Sequence, residues 1–138
     1  MKDKFVLIPF KKVGEIGFVM TIENVKEILG KYDSIDINKK TDIRWKNLSI
    51  KFKKNVIYDM TFSAGPLKII YNDMDLLADK NLDKTLDKIE SSNERLGYKV
   101  YFSLGIAITG FSKPKEKVSI TIFPKTLSKF WTKFIADK

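Results

Sequence analysis

The sequence predicts an α+β fold, a mainly antiparallel β-sheet of about five strands with helices packed on one face. Three observations carry that expectation. Residues 48–62 alternate apolar and polar side chains around Lys54-Asn55, and the segments 22–29 and 82–96 repeat apolar residues at helical spacing. The chain of 138 residues is long enough to remove about two-thirds of its unfolded surface from water, so one domain over 1–138 is expected.

The chain opens with Met1-Lys2-Asp3-Lys4 and the apolar run Phe5 to Phe10, a strand or loop. The run imitates a signal peptide for a few residues, but it is short, and Lys11 and Lys12 stand where a cleavage site would fall. No stretch approaches the ~20 apolar residues that a membrane helix needs, so a cytoplasmic protein without membrane contact is expected.

Ile22, Val25, Ile28 and Leu29 share one helical face, Thr21 is placed to accept a bond from the first turn, and Gly30 suits the left-handed position after the end. A helix this short needs a sheet to lie on. From Leu48 the period changes to two: Leu48, Ile50 and Phe52, a turn at Lys54-Asn55, then Val56, Tyr58, Met60 and Phe62 give a hairpin with one wet face. Ser63 to Pro66 break the pattern, and a third strand runs from Leu67 to Asn72-Asp73.

Leu82, Leu86, Ile89 and Leu96 predict a second helix, with Asp79 or Asn81 at its start and Gly97 after its end. A strand over Tyr98–Thr109 would place Tyr98, Val100, Phe102, Leu104, Ile106 and Ile108 on one side and Gly105 and Ala107 on the other, where a neighbour can approach closely. Val118, Ile120 and Ile122 form a further strand. Leu127, Phe130, Trp131, Phe134 and Ile135 predict a terminal helix docked on the sheet; a membrane anchor or an aromatic platform is the competing reading of that helix. Helix-then-strands occurs twice, near 21–63 and 82–123, which is the pattern of an internal duplication without a residue-by-residue match.

With no cysteine and no histidine, disulfides, zinc sites of the usual ligands, thiol nucleophiles and imidazole bases are excluded. Asp73 and Asp75 would face one side of an extended segment, yet such a pair is first a polar turn and only second a magnesium site. No catalytic residue, metal or cofactor is assigned.

The net charge of +9 suggests an anionic partner, although a lysine-rich composition alone gives the same balance. Lys113, Lys115 and Lys117 read as a solvated loop. Only Arg44 and Arg95 are arginines, which weakens base-specific reading of nucleic acid. The expected partner-binding surface is the wet hairpin face, Lys51, Lys53 and Lys54 with Trp45 and Lys46 nearby. Lysines there also protect strand edges from aggregation. A basic nucleic-acid-binding domain is the alternative, with Trp45, Phe52, Tyr71 and Tyr101 as stacking groups.

Phe18, Met20, Thr21, Val25, Leu29 and Gly30 resemble the FGMT-x-x-x-V-x-x-x-LG segment of several small bacterial α+β domains, among them outer-membrane assembly lipoproteins and the β-lactamase inhibitor protein; Val19 replaces the usual glycine. The blocks LSIKFKKNVIYDMTF, IIYNDMDLL and VYFSLGIAI are similar to those of small proteins found beside polymorphic toxins, including immunity proteins of contact-dependent growth inhibition. With the opening segment they cover about half of the chain. The resemblance implies a tight stoichiometric complex with a toxin domain and no catalytic residues. With the net charge, it implies a partner acidic near the contact or held by apolar and aromatic anchors.

Overall fold

A computed structural model of the chain describes residues 2–111, 113–114 and 117–137. Lys115 therefore lies outside the described residues. The fold is α+β and mainly antiparallel, but its strands form two sheets, one of eight strands and one of five, in place of the single sheet expected from the sequence.

The large sheet is built from two successive meanders. In the first, β4 (Ser34–Ile37), β5 (Thr41–Trp45), β6 (Leu48–Lys53) and β7 (Val56–Phe62) follow helix α1 (Ile22–Leu29). In the second, β10 (Asn93–Arg95), β11 (Tyr98–Tyr101), β12 (Ile106–Thr109) and β13 (Ser119–Ile122) follow helix α2 (Leu82–Asp87). The halves join where β13 pairs antiparallel with β7, giving the order β10-β11-β12-β13-β7-β6-β5-β4. The small sheet contains β1 (Lys4–Ile8), β2 (Lys12–Val13), β3 (Ile16–Gly17), β8 (Lys68–Tyr71) and β9 (Met74–Asp75), with β1 and β8 parallel.

Turn chemistry fixes three of the hairpins. Lys54-Asn55, Asn72-Asp73 and Leu96-Gly97 all have positive φ at both central residues, as a two-residue type I′ turn requires. This corrects three expectations. Asp73 sits in a turn while Asp75 sits in β9, so the two are not neighbours along one extended face. Helix α2 stops at Asp87, because the chain from Asn93 to Tyr101 is committed to a hairpin that holds Leu96 74% exposed. The expected strand 98–109 is two strands, since residues 102–105 form a tight turn with Gly105 at φ 67°. That turn changes side-chain parity: Val100 pairs with Ala107 on one face, and Tyr101 pairs with Ile106 on the other. The close approach expected at Gly105 is present, with Phe123 O 2.9 Å from where a Cβ would stand.

Both ends of α1 form as expected. Thr21 Oγ1 accepts from Asn24 N at 3.3 Å, Asn24 answers through its side chain, and Gly30 has φ 78°. Val25 and Leu29 are buried, and Asn55 at the β6–β7 turn accepts the orphan N–H of Ile22 at 3.0 Å.

The main core lies between the inner faces of the two sheets. Phe5 of β1 meets Phe62 of β7 edge to face at 5.5 Å, and Ile43, Trp45, Leu48, Ile50, Ile106 and Ile122 join the same cluster with Val25, Leu82 and Leu86 of the two helices. Helix α3 (Ser128–Ala136) does not share that side. Its Trp131 packs with Val100, Ala107 and Phe123 on the outer face of the large sheet. The terminal helix docks on the sheet as expected, but the helices occupy both faces.

Candidate functional site

Helix α3 covers the outer face of the large sheet at the β10–β12 end. The remaining part belongs to β4–β7, and strand register sets its composition. One cross-strand row reads Asp36, Asp42, Lys51, Asp59. The next reads Ser34, Arg44, Ser49, Thr61, Thr121 and then passes under α3 at Ala107 and Val100. Every residue of these two rows outside the covered end is polar.

Internal bonds organise this face. Ser49 Oγ donates to Asp42 Oδ1, and the hydroxyls of Thr61 and Thr121 lie 3.0 Å apart. A register shift at Lys51/Phe52 adds a residue to β7, and Lys40 Nζ stands over the Tyr58 ring at 4.1 Å from its centre.

Asp59 is the distinctive group. It is 8% exposed, and its Oδ1 has no hydrogen-bond partner. Burial raises its pKa to about 6 against the pull of Lys51 and Lys40, and Asp42 adds to the rise. One row of the face thus carries three carboxylates interrupted by Lys51, with Arg44 in the next row, and one of the carboxylates has an unanswered acceptor.

The residues expected to bind a partner fall into separate places. Trp45 is a correction: it is 1% exposed, and its Nε1 donates to Gly30 O at 3.0 Å. It pairs with Leu48 across a two-residue turn and therefore shares that residue's inward side. Lys46 lies in that turn, its backbone N–H held by Asp33 Oδ2 at 2.6 Å. Lys53 and Lys54 are at the other end of β6, about 17 Å or more away along the strand. Lys51 alone of the set stands in the central row. Sequence reasoning missed Asp36, Asp42 and Asp59, although each follows from the same alternation once β4 and β5 are recognised.

The aromatic residues considered for nucleic-acid stacking are absorbed by the fold. Trp45 and Phe52 are 1% exposed, Tyr101 is 0% exposed, and Tyr71 packs against the main core.

A second polar cluster ties α2 to β11. Lys99 Nζ lies 3.1 Å from Asp83 Oδ2 and 3.3 Å from Asp87 Oδ2, and the Tyr101 hydroxyl lies 2.8 Å from Asp87 Oδ1. Burial, then the Asp87 carboxylate, push the Tyr101 hydroxyl well above its ordinary value. These groups satisfy one another, which marks a structural tie. Among the described residues no helix is long and apolar enough to cross a membrane, and no group of three or more acidic side chains is arranged to hold a metal ion. Comparison with family models, curated proteins and solved structures gave no match.

Proposed function

We propose that this chain is an immunity-type binding protein that neutralises a cognate toxin domain in the cytoplasm by forming a tight one-to-one complex. The contact is the open face of β4–β7. Action is by masking, with no bond made or broken. The block resemblance supports the class, and the Asp36–Asp42–Lys51–Asp59 row is the observation that carries the choice of face.

A buried acceptor without a donor is costly, by about 1–3 kcal/mol, and a partner that supplies the donor recovers that cost on binding. Lys51 already stands between Asp42 and Asp59 in the row, so a basic side chain of the toxin is placed at the exposed Asp36 and the half-buried Asp42. The two rows carry Asp36, Asp42 and Asp59 against Lys51 and Arg44, so the partner surface that complements this face is of mixed charge, with a basic group opposite Asp36 and Asp42. The contact covers roughly 800 Å² on each partner, and the exposed Arg44 and the half-buried Lys51 help set its register. The repeated helix-plus-meander order is consistent with an internal duplication that produced one wide sheet for this purpose.

The reading is tested by expressing the products of the adjacent genes with and without this chain. One neighbour should be toxic alone, be rescued by co-expression, and co-purify in equal amounts. A set of neighbours in which none is both toxic and rescued removes the proposal.

A further inference from the structure

The small sheet has an outer face of its own, on the far side of the Phe5–Phe62 contact from the open polar face. In β1 only Phe5 and Leu7 point into the core, so Lys4, Val6 and Ile8 point out. Register places Lys4 beside Lys68, Val6 beside Ile70, and Ile8 beside Lys12. The face is thus an aliphatic strip with lysines at both ends, about 13 Å from Lys4 to Ile8. Val6 is 54% exposed and Ile8 39%.

Along one side of the strip runs a groove of about 330 Å³, walled by Ile28 of α1 and by the Gly14-Glu15 turn, with Lys2 at its rim. Acidic groups near it are few. Glu15 lies 3.9 Å from Lys2 in an exposed pair, and Asp75 stands beside Ile70 on the next strand. Four lysines against two carboxylates leave the frame cationic.

We propose that this outer face is a second docking surface, occupied by an acidic amphipathic segment of a partner protein. The segment lies along β1, sets alternate aliphatic side chains on Val6, Ile8 and Ile70, and directs carboxylates to Lys4, Lys12 and Lys68. Charge complementarity selects an acidic occupant, and the strip accepts about five extended residues. The wall formed by α1 distinguishes a chain segment from a bilayer: a groove encloses an extended peptide, whereas a membrane surface meets only the protruding groups.

The test uses the whole protein, isotopically labelled, titrated with a short peptide in which valines alternate with serines and the glutamates stand at both ends, so that valines and end carboxylates can face the strip together. Saturable amide shifts are expected at Val6, Ile8, Lys12 and Ile70. Affinity should fall about tenfold in Lys4→Glu/Lys12→Glu and also fall in Val6→Ser, which keeps every charge. Equal binding of a glutamate-only peptide of the same length would reduce the effect to net charge and overturn the proposal. So would shifts that avoid Val6 and Ile8, or unchanged affinity in both variants. Binding to vesicles of phosphatidylglycerol and phosphatidylcholine that maps to the same residues, with no peptide binding, would assign the face to membranes instead.

Discussion

Asn47 closes on Leu67 in both directions: its Nδ2 donates to Leu67 O at 2.9 Å, and its Oδ1 accepts from Leu67 N at 2.9 Å. The same Nδ2 donates to Ser63 O at 2.7 Å. One side chain from the β5–β6 turn thereby replaces a strand pair where the chain leaves the large sheet for β8. At 6% exposure, no solvent substitutes for it.

Asn47→Ala leaves the Leu67 N–H and two carbonyls without partners in a dry site. A loss on the order of 3 kcal/mol is expected, read from the urea midpoint at constant m. Asn47→Asp should cost at least as much, because a carboxylate would face two carbonyl oxygens. A loss below about 1 kcal/mol in both would contradict the assigned role.

Asp59 gives the protein a pH dependence of definite sign. Its folded pKa is raised from 3.8 to about 6, so the fold holds this proton more tightly than the unfolded chain does. The stabilisation is complete below pH 3.8 and is lost as the pH rises through about 6, a contribution of about 3 kcal/mol. Asp59→Asn should flatten this fall between about pH 4 and pH 7 and be more stable than wild type at the upper end. Parallel stability curves for the two proteins across that range would remove Asp59 as the cause.

Leu96 occupies a left-handed position, φ 49°, while 74% exposed. Leucine has no local hydrogen bond to offset that conformation, whereas asparagine at this turn position does. Leu96→Asn should therefore raise stability by about 0.5–1 kcal/mol, visible as a higher melting temperature. A lower melting temperature would mean that Leu96 makes a contact not accounted for.

Trp45→Phe separates core from contact. It removes the bond to Gly30 O and should cost about 1 kcal/mol of stability while leaving affinity for the proposed partner unchanged. Surface plasmon resonance on the folded variant decides the matter; a large rise in dissociation rate would restore Trp45 as part of the interface.

The legible parts of this fold were those set by local chemistry. Thr21 and Gly30 mark the ends of α1 by residue type alone, and the Lys54-Asn55 turn was correct because the flanking alternation leaves two residues to close it. Parity was harder. Whether Trp45 faces in or out depends on parity across the Lys46-Asn47 turn, which pairs it with Leu48 and turns the indole inward. The β4–β5 hairpin is not legible in the sequence because the Ile35 and Ile37 side chains of an edge strand are exposed like those of a loop. With it went the carboxylate row, since Asp36, Asp42 and Asp59 are brought together only by pairing. A net charge of +9 is a sum over the chain and carries no information about which sign gathers on one face.

The central claim is that the chain works through the open face of β4–β7. Its most direct test is calorimetric titration of the proposed partner, a neighbouring gene product found to be toxic alone and rescued by this chain, into wild type, Asp36→Lys and Asp59→Asn, each confirmed folded. One-to-one binding is expected in the wild type, with affinity about tenfold or more lower in Asp36→Lys and lower again in Asp59→Asn, where the buried acceptor has lost its charge. Equal affinity in all three would show that the partner sits elsewhere.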